Sequence, residues 1–176
     1  MRAKLAMLAL ILSLGLVNWS IMGKEQHLAE GNIVYLQLAP IDPRSLMQGD
    51  YMALRFQLAT QVYDALPKTE HSSRWRQQVN AKDGYVVVHL DKRKIATFKS
   101  IDATQALGKD EMLLRFRVRN GVVKFATNAY FFQEGHAQYY EQARFGEFRV
   151  DDEGELLLVA MFDKDLKPLK ATVVKD

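Results

Sequence analysis

Met112-Leu113-Leu114-Arg115-Phe116-Arg117-Val118-Arg119-Asn120-Gly121-Val122-Val123-Lys124-Phe125-Ala126-Thr127 carries its own turn in the middle. Asn120 and Gly121 tolerate positive φ, which a two-residue hairpin loop requires, and both flanks are rich in strand-forming residues. With that loop, Arg119 faces Val122, Val118 faces Val123, Arg117 faces Lys124 and Phe116 faces Phe125. Phe116, Val118, Val123 and Phe125 then share an apolar face. The opposite face carries Arg115, Arg117, Arg119 and Lys124, and reads as a solvated exterior. Arg117 opposite Lys124 is unfavourable unless acidic residues or an anionic ligand lie nearby.

Two further hairpins flank this one. Tyr85 to Leu90 and Ile95 to Lys99 surround the charged turn Asp91-Lys92-Arg93-Lys94. Glu147 to Val150 turns at Asp151-Asp152-Glu153-Gly154 and returns through Leu156 to Phe162. The returning strand is apolar on both faces, so the domain or a partner must cover both. Upstream, Ile33 to Leu38 alternates as a strand, as does Tyr51 to Leu58, with Met52, Leu54, Phe56 and Leu58 on one face. His136 to Arg144 is the best short helix, whereas His71 to Ala81 reads as a loop or short helix. The expected fold is mainly β, a small antiparallel barrel or sandwich with one or two short helices.

The N-terminus follows other rules. Arg2 and Lys4 precede an uncharged stretch from Leu5 to Gly23, close to the roughly 20 residues of a membrane-crossing helix. A cleaved signal peptide would share the basic start but should end in a small-residue site, where this chain has Trp19 and Ile21. An uncleaved signal-anchor is therefore expected over 1–23, a polar linker over 24–32 and an extracytoplasmic β-rich domain over 33–176. Arg2 and Lys4 predict a cytoplasmic N-terminus and, for a bacterial protein, a single pass through the inner membrane with the domain in the periplasm.

Composition narrows the chemistry. The 176 residues, 48% hydrophobic, can form one sizeable core. No cysteine is present, which excludes disulfides, thiolate metal sites and cysteine nucleophiles. The net charge of +3 includes Arg2 and Lys4; the remainder has 22 basic and 21 acidic residues, which gives nucleic-acid binding no electrostatic support. The four histidines are dispersed, and only Glu134-x-His136 brings two metal-ligand types close, so no metal or cofactor is expected.

The segment from Asp42 to Phe56 reads as a short helical turn delivering a strand. Asp42 can cap it, Pro43 fits the first helical position, and Gly49 can take the left-handed conformation that ends it. Gly49-Asp50-Tyr51-Met52-Ala53-Leu54-Arg55-Phe56 resembles the bacterial family named for its Gly-Asp-Tyr-x-x-Leu-x-Tyr motif, GDYXXLXY, with Phe56 for the final Tyr. The resemblance extends back through Asp42-Pro43-Arg44-Ser45-Leu46 and forward to Tyr130-Phe131-Phe132-Gln133-Glu134-Gly135, with Gln133 for a Pro. It implies a membrane-anchored protein without an established activity, often beside a multi-pass membrane protein. Pro43, Leu46, Gly49 and Asp50 also resemble a segment of type I signal peptidases. That enzyme's serine, a few residues before the Pro, is absent, since Ala39, Pro40 and Ile41 occupy the place.

Arg44, Asp50, Tyr51 and Glu134 are the candidates for ligand or partner contact. Asp42, Pro43, Gly49, Leu54, Phe56, Tyr130 and Gly135 are the motif's structural members. No nucleophile and base pair is identifiable, so no catalytic residue is assigned. The expected function is a non-enzymatic interaction module working with an integral membrane protein. The alternative is an envelope hydrolase or small-ligand site around Arg44, Asp50 and Glu134. Leu156 to Phe162, with Tyr139 and Tyr140, marks a further region where a protein could dock.

Overall fold

The computed structural model describes residues 2–39, 47–48, 51–67, 80–101 and 106–170. A long helix α1 (Arg2–Glu30) leads into β1 (Asn32–Gln37), followed by β2 (Met47–Gln48), β3 (Tyr51–Ala53) and α2 (Gln57–Ala65). Next come β4 (Lys82–Leu90), β5 (Ala96–Ser100), β6 (Glu111–Arg119), β7 (Val122–Lys124) and β8 (Ala129–Phe131). The short α3 (Ala137–Tyr140), β9 (Phe145–Val150) and β10 (Leu156–Phe162) complete it. The domain is mainly β with short helices, as expected.

The central hairpin has the expected register: Arg117 pairs with Lys124, Val118 with Val123 and Arg119 with Val122. Asn120 and Gly121 both adopt positive φ, as the turn chemistry demands. The hairpins β4–β5 and β9–β10 also form where the charged turns place them. In each turn the first Asp, Asp91 or Asp151, accepts two backbone N–H bonds, the local reason these charged loops reverse the chain.

Strand order is β5-β4-β6-β7 in one sheet, β1-β9-β10 in the second and β2-β3-β8 in the third. The first two join into a partly open barrel. A parallel bridge links Tyr35 to Ile95, with the Tyr35 N–H donating to the Lys94 carbonyl at 2.9 Å. On the far side, the Arg115 N–H donates to the Gly154 carbonyl at 2.8 Å, tying the β9–β10 turn to β6. Phe116, Phe125, Phe148, Leu36, Met52, Leu114 and Met161 fill the interior.

The expected strand from Tyr51 to Leu58 is corrected. Only Tyr51 to Ala53 is strand, and Gln57 begins α2. Leu58, Val62 and Leu66 recur every four residues and are all buried, which favours a helix packed against β1, β5 and β7. Met52, Leu54 and Phe56 are buried as the alternation requires. The short helix expected over His136 to Arg144 is confined to Ala137–Tyr140.

β10 shows how a strand apolar on both faces is satisfied. Leu156 and Met161 enter the main core, while Phe162 joins Ile95 and Phe145 in a second cluster with Tyr35 and Leu166 packed against it. A register shift between Leu158 and Ala160 allows this, moving Met161 rather than Ala160 opposite Gly146. The chain itself therefore covers much of both faces.

α1 continues through the expected linker to Glu30. Among the described side chains, which leave out positions 1–3, 5, 6 and 8, no helix is long and apolar enough to cross a membrane. The helix end is fixed to the domain. His27, 9% exposed, places Nε2 2.9 Å from the Arg149 carbonyl and Nδ1 3.4 Å from an Asp151 carboxylate oxygen. The Gly31 N–H donates to the His27 carbonyl, and an Arg149 guanidinium N–H donates to the Gly31 carbonyl at 3.0 Å. A Cβ at Gly31 would collide with the His27 carbonyl, so the approach requires glycine. His27→Ala should loosen this joint by about 1–3 kcal/mol, because its ring contacts to the Arg149 carbonyl and the Asp151 carboxylate are lost. Faster amide exchange across residues 24–32, with the β4–β6 ladder unchanged, is the expected measurement.

Candidate functional site

The two motif segments, some eighty residues apart in sequence, are strand neighbours. Tyr51 pairs with Phe131, Met52 with Tyr130 and Ala53 with Ala129. The Leu54 N–H extends the contact by donating to the Asn128 carbonyl at 2.7 Å. Met52 and Leu54 face inward, and Phe56 meets Phe148 edge-on with ring centroids 5.4 Å apart. The motif's Leu and its final aromatic position are thus core residues that seat the small β2-β3-β8 sheet on the barrel.

Aromatic rings dominate that sheet. Tyr51 lies 5.7 Å from Phe131, whose ring is 74% exposed. Tyr130 meets Tyr140 edge-on at 5.1 Å, and Phe132 stacks on Tyr140 at 5.2 Å. Tyr140 is buried here, so it anchors α3 beneath β8 and is not part of an open docking face. Burial and a hydrogen bond with Tyr140 push the Tyr130 hydroxyl up to about 12. Its neutral form is favoured in the fold, so this stabilisation is complete below the ordinary tyrosine range. It is lost as pH rises from about 10 toward 12. Tyr130→Phe should remove that alkaline loss, leaving a flatter stability profile above pH 10 in denaturant titrations.

Glu134 is exposed, and Gly135 takes a φ of +79° in the turn that follows. Arg44, Asp50, Asp42, Pro43 and Gly49 lie outside the described residues, so the proposed convergence of Arg44, Asp50 and Glu134 does too. Among the described residues, no group of three or more His, Asp or Glu side chains is placed to hold a metal ion.

The basic stripe is partly neutralised. Arg115 pairs with Glu155 and with Asp83 at 3.7 Å, and Arg119 pairs with Asp83 at 2.6 Å. The Arg119 hydrogen bond is the main cause of an Asp83 carboxyl held below its ordinary range. Lys99, followed by the Gly108 N–H, does the same for Glu111. The stripe is legible in the sequence, whereas the place of Asp83 depends on the β4–β6 register, which brings it opposite Arg117.

These features define a class: a small, partly open β-barrel domain carried on a long N-terminal helix, with its two motif segments paired as neighbouring strands. Residues 13–161 match the family model described as GDYXXLXY protein, and the chain belongs to that family. No curated protein and no solved structure matches it.

Proposed function

We propose that the chain is a membrane-anchored accessory module, non-enzymatic, that works beside an integral membrane protein from outside the cytoplasm. The observation that carries this reading is the surface of α1. Leu10, Ile11, Leu12, Leu14, Leu16, Val17, Trp19, Ile21 and Met22 are each at least half exposed, over consecutive turns and therefore around the whole helix. Such a surface is costly in water and favourable against lipid or other apolar helices. The uncharged sequence from Leu5 to Gly23, with Arg2 and Lys4 before it, supports the same reading and its orientation.

Its test is a topology measurement on the full chain. A C-terminal reporter active only outside the cytoplasm should be active, and the intact chain should resist alkaline extraction from the inner membrane. A soluble product shortened at its N-terminus would overturn the anchor. Activity of a cytoplasm-only reporter would overturn the orientation.

A further inference from the structure

A groove of about 530 Å³ runs between α2 and the free edge of β7. Its apolar wall comes from Leu54 and Phe56 of the motif, Ala59 of α2, and Val122 and Phe125. This volume lies within the range of small-molecule sites. At Lys124 and Asn128 the groove meets a second, shallower cleft, lined by Arg117, Arg119 and Thr127. The combined surface has an apolar wall interrupted by Arg55, Thr60 and Tyr63, and its cations gather where Lys124 meets Arg117 and Arg119.

Charge at that end is only partly compensated among the described residues, where Asp83 lies opposite Arg117 across β4 and β6. Arg119 is engaged by Asp83, Lys124 has no ion pair among the described residues, and Arg117 donates to the Ala126 carbonyl at 3.1 Å. The two cations occupy directly paired positions on β6 and β7, an arrangement that destabilises a sheet until an anion lies between or above them. The strand edge adds a polar group. In this hairpin Arg119–Val122 and Arg117–Lys124 are the hydrogen-bonded pairs, so the N–H and C=O of Val123 point away from β6 along the free edge.

We propose that this groove binds a small amphipathic anion, a medium-length apolar chain ending in a carboxylate. Its head sits over Arg117 and Lys124, and its chain lies along Leu54, Ala59 and Val122. The two cations supply charge-assisted hydrogen bonds that an uncharged head cannot recruit, and the apolar wall removes the chain from water.

The experiment uses the full chain in nanodiscs and a ten-carbon carboxylate bearing a diazirine, with labelled residues mapped by mass spectrometry. Labelling is expected within residues 53–63 and 121–128. Decanoate should compete at roughly tenfold lower concentration than decanol, the ratio expected of one good charged contact. Lys124→Met and Arg117→Gln, at half-buried and exposed positions, should each reduce labelling severalfold while the melting temperature stays within the range of surface substitutions. Labelling outside these segments would overturn the site. Equal competition by decanol would overturn the anionic specificity, leaving a purely apolar groove. Undiminished labelling of both variants, with folding intact, would overturn the assignment of the head to Arg117 and Lys124.

Discussion

Gly154→Ala should destabilise the domain by about 2–4 kcal/mol, more than an alanine at Gly121 or Gly135, the other glycines with positive φ. Two costs coincide. Gly154 has a φ of +78°, where a side chain is strained, and its Cβ would lie 2.9 Å from the Leu113 carbonyl oxygen, a backbone atom that cannot rotate away. The residue also presents its carbonyl to the Arg115 N–H, so displacing it detaches the β9–β10 turn from β6. Gly121→Ala is the internal control. Its φ is +71°, but nothing lies within 4 Å of the added Cβ, so only the conformational cost, about 1 kcal/mol, should appear. Chemical denaturation of both variants measures the difference. Equal losses would mean that the turn yields without disturbing β6.

Phe148→Ala should cost about 3–5 kcal/mol, a large share of the 5–15 kcal/mol typical of a domain. Phe148 is fully buried at the centre of the β1-β9-β10 sheet, opposite Val34 on one side and Leu158 on the other, with Phe56 edge-on. Val34 and Phe56 are themselves held by strand pairing and burial, so the space it would leave can be refilled only in part. Phe148→Leu, which leaves a smaller void, should lose markedly less. An unchanged denaturant slope with a lowered midpoint would identify the loss as packing.

The hairpins were legible because their information is local. Asn120-Gly121 sets a register that needs no distant contact, and Asp91 and Asp151 close their own turns. α2 was misread for a physical reason. Met52, Leu54, Phe56 and Leu58 continue a period of two, while Leu58 also begins a period near four with Val62 and Leu66. The residue at the helix start, Phe56, makes no side-chain cap bond, so the usual helix-start signal is missing. The partnership of β3 with β8 depends on how the barrel brings distant segments together, and no local pattern encodes it. Of the candidate site, the family motif identified the paired segments. The partly compensated end of the basic stripe emerged only when the sheet register placed Asp83 beside Arg115 and Arg119.

The contacts around His27 seat the end of the helix directly on the barrel. A tether of flexible residues would let the domain sample many bearings. Here Gly31 is clasped from both sides, by the His27 carbonyl before it and the Arg149 guanidinium behind it. On the reading proposed above, the setting of α1 would fix where the exposed Phe131 ring points, and part of the cost of orienting the domain would be met in folding.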